Sequence, residues 1–364
     1  MAGNTIGEAF KITTWGESHG DTVGVVIDGC PPGLEITRQD IQKELNRRRP
    51  GQGELTTSRE EGDRVRIMSG VFEGKTLGTP IAMMVKNKDS RREDYEDFKD
   101  IYRPSHADFT YEKKYGRRNW MGGGRASARE TLARVAAGAV ARKYLSKNFN
   151  LEIVSWVQQV HDICASQINV DEITAGDVED NSVRCPDYKA AQKMEKRIKD
   201  AKKEGDSLGG VIKLIARNCP AGWGEPVFDK LDALLAHHLM SIPAVKGVQI
   251  GSGFAAARMK GSEHNDSFIR EDGEIKTTTN RSGGIQGGIS NGMPVIAEVA
   301  FKPVPTINKP QETLNSKGKK VTMAAKGRHD PCVLPRAVPI VEASCALVLA
   351  DLALRQQAIK NYHK

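Results

Sequence analysis

Residues 122–131 read Gly122-Gly123-Gly124-Arg125-Ala126-Ser127-Ala128-Arg129-Glu130-Thr131. Behind them Leu132, Val135, Ala136, Ala139, Val140 and Tyr144 return at helical spacing. Ser127 with Glu130 three residues later predicts a capping box and a helix that begins near Ala128. A helix N-terminus is partially positive and favours acidic neighbours, yet Arg125 and Arg129 flank this one. A bound anion would offset that mismatch, and glycines ahead of the cap would let its oxygens approach the backbone N–H groups. The alternative is that the arginines bend out to solvent. Two of them behind three glycines favour an anion site at the head of a central helix.

Upstream, residues 11–35 read as strand, loop, strand and turn, with Gly16-Glu17-Ser18-His19-Gly20 as the loop. His19 therefore sits on a short glycine-bounded mount between two core strands. Thr37 and Asp40 open a helix whose inward stripe, Ile41, Leu45 and Arg48, ends in the basic loop Arg49-Pro50-Gly51-Gln52-Gly53. Residues 64–72 and 80–87 form a strand pair. A charged segment comes next and leads into Arg103-Pro104-Ser105-His106-Ala107-Asp108, a second histidine in a polar loop.

Downstream, strands are expected near 151–160, 210–218, 245–256 and 294–303, with helices near 187–203, 230–240 and 339–355. The charges of the 187–203 helix read as its wet face. His237 and His238, being adjacent, point to different helix faces and read as structural. Residues 251–256 carry the glycine spacing of a dinucleotide fingerprint, but Ala257-Arg258-Met259-Lys260, ahead of the next glycine, is too short to supply the helix that motif needs. The cluster from Gly283 to Gly288, which includes Gly287, suits a turn lying against a planar ligand. A last basic loop, Lys326-Gly327-Arg328-His329-Asp330-Pro331, adds a carboxylate.

The 364 residues can bury a large core, and no linker divides them. Hydrophobic residues at 38% and charged residues at 27% describe a soluble globular chain, and the net charge of +8 favours anionic partners. No apolar run approaches bilayer length, no signal peptide is evident, and the six scattered cysteines read as reduced, so a cytoplasmic protein without a membrane partner is expected. The arginines sit in glycine loops rather than along one helix face, which argues against a nucleic-acid partner.

The blocks Gly16–Gly20, the Arg48 loop, 103–108, 124–131 and 328–331 share the order and spacing of chorismate synthases, which the chain resembles over nearly its full length. The resemblance implies an α+β fold, a β-α-β sandwich with antiparallel sheets packed on helices, as a single large domain over 1–364. Charged mobile loops are expected near 46–60, 87–103 and 307–330. It implies a homotetrameric lyase that converts 5-enolpyruvylshikimate 3-phosphate to chorismate and phosphate by anti 1,4-elimination. Reduced FMN would be required, with NADPH entering only to reduce the flavin. By the same resemblance His19 protonates the departing phosphate, His106 keeps the flavin correctly protonated, and Asp330 is the acid near the reacting flavin edge. Ser18, Arg48, Arg103, Arg129 and Arg328 match substrate positions. Arg125, Ala126, Ser127, Ala244, Gly287, Lys302, Pro303, Val304, Pro305, Thr306 and Arg328 match flavin positions.

The chain departs from the family pattern in four places. Glu54 stands where many members have an arginine, a contact Arg59 could replace. Ser105 replaces a common glycine, Ala126 a common serine, and Pro243 a polar residue that often contacts flavin. Arginines near His19 depress its pKa and a bound phosphate raises it, so His19 is expected to gain its proton as substrate arrives.

Overall fold

Strands whose apolar residues alternate build a first sheet, all antiparallel. Its order is Thr5–Ile6, Lys11–Gly16, Thr22–Asp28, Ile81–Lys86, Val65–Ile67. Val23, Val25 and Ile27 on one strand and Ile81, Met83 and Val85 on its neighbour turn inward and are fully buried. A second antiparallel sheet has the order Val245–Ile250, Val295–Phe301, Gly210–Arg217, Glu152–Val160, Ile163–Cys164. These are the strands of a computed structural model, which describes residues 3–57, 61–89, 93–166, 168–271, 273–324 and 329–360.

Helices fill the space between the sheets. Arg38–Arg48 and the central helix Thr131–Phe149 pack on the first sheet, and Leu231–Met240 and Leu334–Lys360 on the second. The two long helices meet at Gly138 and Ala343, where a Cβ on Gly138 would lie 2.4 Å from the alanine Cβ and 2.7 Å from its Cα. That crossing admits no side chain. The result is the expected sandwich of antiparallel sheets around helices, with buried residues from both sheets joined in one core.

Leu334–Lys360 starts earlier than the 339–355 expected from sequence, because Pro339 lies inside it. Proline withholds the N–H that would bind the carbonyl four residues back. Here that carbonyl, on Pro335, accepts a hydrogen bond from Arg184 instead, so the helix runs on through the proline. The longer helix also overturns the expectation that no apolar run approaches bilayer length. Residues 334–359 are long and apolar enough to cross a membrane, but 94% of the apolar window is buried inside the fold. The helix is thus a core element rather than an exposed one. Its Asp351 accepts the backbone N–H groups of Glu8, Ala9 and Phe10 at 2.6–2.8 Å, tying the start of the chain to its last helix.

The helix near 37–48 forms as read, with a complete Thr37/Asp40 capping box and Ile41, Leu45 and Arg48 buried. The strand expected over 245–256 stops at Ile250, and Gly253–Arg258 is a short 3₁₀ turn with no α-helix on the fingerprint glycines. All six cysteines are unpaired, five of them buried.

Candidate active site

The central helix is entered through two 3₁₀ turns, Gly124–Ala126 and Ala128–Glu130, so regular helix begins at Thr131 rather than near Ala128. The capping box does not close. Ser127 Oγ accepts from the backbone N–H of Arg129, while the Glu130 carboxylate turns to Arg134, one helical turn on, at 3.1 Å. Gly122, Gly123 and Gly124 have φ of 68°, 92° and 53°, the left-handed region that favours glycine. They are also held open by rings: a Cβ on Gly122 would lie 2.0 Å from His19 Nδ1, and one on Gly123 2.8 Å from His106 Cε1. The glycine run therefore makes room for two histidines, which residues 122–124 bring together from loops far apart in the chain.

Beside this run lies a cavity of about 370 Å³, a size suited to a small molecule. Arg48, Arg103, Arg129 and Arg336 line it together with His106 and Asp330. Ile242, Phe301, Val333, Ala337 and Ile340 give the same wall an apolar part. Each of the four arginines is backed by a carboxylate. Asp63 bonds Arg48 at 3.2 Å through one oxygen and Arg129 through the other. Asp108 takes Arg103 in a two-pronged pair at 2.7 and 2.8 Å, and Asp330 takes Arg336. The charge mismatch that Arg129 creates at the helix start is thus answered in part by the buried carboxylate of Asp63, while Arg129 Nη2 is left without a hydrogen bond.

Burial is the main influence on these charges. It pushes the Arg48 guanidinium down to about 9, helped by Arg336 and Arg129 and opposed by Asp63. Burial also works against ionised Asp108, but Arg103 outweighs it and holds that carboxyl well below the usual carboxylate range. Asp108 Oδ1 lies 3.2 Å from His106 Nδ1 without the alignment of a hydrogen bond. Ser18 Oγ sits 3.0 Å from His19 Nδ1, and the His19 ring meets Tyr95 edge-on at 4.9 Å. Tyr95 and Gly122 line the cavity and His19 lies behind them. Asp330 also accepts the backbone N–H of Thr57 at 2.9 Å.

Two backbone strains fall on the cavity wall. Ser105 has φ 58° and Ala244 φ 72°, a conformation that costs a residue with a Cβ about 1 kcal/mol. Lys302 joins the two, its backbone N–H donating to Ala244 O and its Nζ to Ser105 O, both at 2.9 Å. Ala126, Ser127, Pro243, Val304, Pro305 and Thr306 line the same cavity.

Other residues singled out in the sequence lie elsewhere. Arg125 donates to Thr14 Oγ1 at 2.6 Å and to Gly16 O at 3.2 Å, away from the cavity. Gly287 is exposed on a hairpin turn, beside Gly288, whose carbonyl accepts the N–H of Leu231. Pro303 is exposed and off the wall, and Arg328 and Arg59 lie outside the described residues. Glu54 faces the lysine-rich helix, pairing with Lys199 at 3.1 Å. Sequence reading missed Arg336, Tyr95 and the backing acid Asp63. Asp108 was in view, in the histidine loop, without a role. Arg336 could have been suspected, as a cation on a proline-flanked, apolar helix start beside Asp330.

The model of the chorismate synthase family matches residues 10–354. The chain belongs to the chorismate synthase family. It is 60% identical over 356 residues to the chorismate synthase of Rippkaea orientalis and 59% identical over 357 residues to that of Thermosynechococcus vestitus, each alignment covering 98% of both chains. A crystal structure of a chorismate synthase matches with a TM-score of 0.74 at 32% identity, over 96% of this chain and 93% of that one. Membership of the chorismate synthase family makes the chain a lyase of aromatic amino acid biosynthesis that acts on a small molecule.

Proposed function

We propose that the cavity binds 5-enolpyruvylshikimate 3-phosphate beside reduced FMN, and that the chain eliminates phosphate in the anti 1,4 sense to give chorismate. The observation that carries this reading is the convergence of four arginines on one cavity with a histidine in its wall and a second behind it. The substrate bears a phosphate and two carboxylates, and planar guanidinium forks match such groups. The apolar part of the wall, the polar groups of Ser127 and Thr306 and the cation of Lys302 fit a flavin ring with its phosphate tail.

Arg48, Arg103 and Arg129 hold the substrate anions in place, and Arg336 adds a fourth cation. His19, steadied at Nδ1 by Ser18, gives a proton to the departing phosphate from its other nitrogen. Held beside the substrate by Ser127, Thr306 and Lys302, reduced flavin would supply transient electron donation with no net change of oxidation state. His106, with Asp108 beside Nδ1, keeps the proton balance at the cavity wall, and Asp330 is the carboxylate on that wall. Phe228, Phe254, Phe268 and Ile275, each more than 60% exposed, are apolar side chains that assembly into the homotetramer would cover.

An anaerobic assay with dithionite-reduced FMN and the substrate tests the proposal by monitoring phosphate and the diene absorbance together. Both appear, and only with reduced flavin, if it holds. Neither appearing from folded protein sinks it.

A further inference from the structure

Asp63 belongs to none of the motifs that mark the cavity, yet it touches two of the residues that line it. It is the residue two before strand Val65–Ile67, 2% exposed, in the left-handed conformation at φ 41°. Its Oδ2 lies 3.2 Å from Arg48 Nη1 and its Oδ1 bonds Arg129 Nη1. Those arginines come from separate elements, Arg48 from the end of Arg38–Arg48 and Arg129 from the turn before the central helix. Among the described residues, the shared carboxylate is the one group that bonds both guanidinium heads.

Other contacts complete the fixture. Arg48 Nε donates to Thr131 Oγ1 at 3.1 Å and its Nη2 to Ala128 O at 2.5 Å, while Arg129 Nε donates to Asn87 Oδ1 at 2.9 Å. Arg129 Nη2 is buried, makes no hydrogen bond, and sits 3.7 Å from Glu61 Oε2. A buried guanidinium N–H without a hydrogen bond is costly, and an anion oxygen would satisfy it.

We propose that Asp63 is a positioning residue, a single carboxylate that aims Arg48 and Arg129 together at one anionic group of the substrate. The inference rests on the reading of the cavity as the 5-enolpyruvylshikimate 3-phosphate site. It sets geometry against charge. By charge alone, Asp63 neutralises two cations and weakens anion binding, so Asp63→Asn would tighten it. By positioning, the same isosteric change leaves one acceptor oxygen where there were two and sets an NH2 against the other guanidinium, so the two heads are no longer held together and binding weakens.

The test measures inorganic phosphate binding by calorimetry, and KM and kcat for the substrate, in the full chain. Asp63→Asn is expected to raise the phosphate Kd and the KM by about tenfold or more, the scale of a broken buried charge pair, with a smaller effect on kcat. Asp63→Glu keeps the charge and moves it by one methylene; it is expected to weaken phosphate as well, and serves if Asp63→Asn does not fold. In an Arg48→Lys, Arg129→Lys background, Asp63→Asn should change nothing further. Tighter or unchanged phosphate binding in Asp63→Asn overturns the proposal, as do wild-type binding in Asp63→Glu or an undiminished effect in the double-lysine background. If wild-type protein binds phosphate but fails to turn over the substrate, the proposed function fails while the phosphate series still decides on Asp63.

Discussion

Glu342 and Ala343 are neighbours on the helix Leu334–Lys360, both buried, and the two are held by opposite chemistry. Ala343 meets Gly138 across the helix crossing, where only the absence of volume matters. Glu342 takes Arg47 at 2.6 Å, Arg142 at 3.0 Å and the backbone N–H of Ser155 at 3.0 Å, joining two helices and a strand to its own. Burial works against its ionisation, and the two arginines outweigh it and keep the carboxyl below its usual range. The cavity repeats the second pattern with Asp63, Asp108 and Asp330. Apolar contacts therefore set how closely the layers approach, while buried ion pairs set which loops meet.

That contrast can be broken from either side. Glu342→Ala leaves Arg47 and Arg142 without their shared carboxylate and is expected to cost about 3–5 kcal/mol, the scale of a broken buried pair, read by urea denaturation. Gly138→Val overfills the crossing and should cost about 3 kcal/mol; a loss no larger than that of an exposed helix substitution would show that the helices can part. Gly122→Ala thrusts a methyl at His19 and is expected to lower kcat about a hundredfold while the melting temperature falls by only a few degrees.

His238 supplies a buried titratable group with no carboxylate. Burial, then Arg134 and His237, push it down to about 3. Below pH of about 6.5 the unfolded chain takes up a proton that the folded chain refuses, so this stability is complete above that pH and drains away as pH falls toward 3. Thermal melts at pH 7.5 and 5.5 should show a smaller acid loss in His238→Leu than in wild type. The smallest effect is at Ser105, where Ser105→Gly relieves the left-handed backbone and should stabilise by about 0.5 kcal/mol.

The layers were legible from sequence because each is written in a local period. The second strand of residues 11–35 forms as Thr22–Asp28, and the stripe of Ile41, Leu45 and Arg48 is buried as read. Much of the cavity wall was legible too, through Arg48, Arg103, His106 and Arg129, and through the family resemblance for Lys302, Val304, Pro305 and Thr306. What escaped was pairing across the chain. Nothing near Asp63 in the sequence points to Arg129, and nothing near Pro339 announces that Arg184 will take the carbonyl its missing N–H leaves over. In sequence the glycines at 122 and 123 read as space for an anion, since only the fold brings two rings against them.

The helix Leu334–Lys360 lies between sheets that both precede it in the chain. A ribosome releases this segment after the strands whose inner faces it covers. Until it docks, the strand Glu152–Val160 and the central helix keep a large apolar face in water, and a chaperone that holds such faces has its target there. Docking of this late segment completes the core, and a pause in translation ahead of residue 334 prolongs the exposure of those faces.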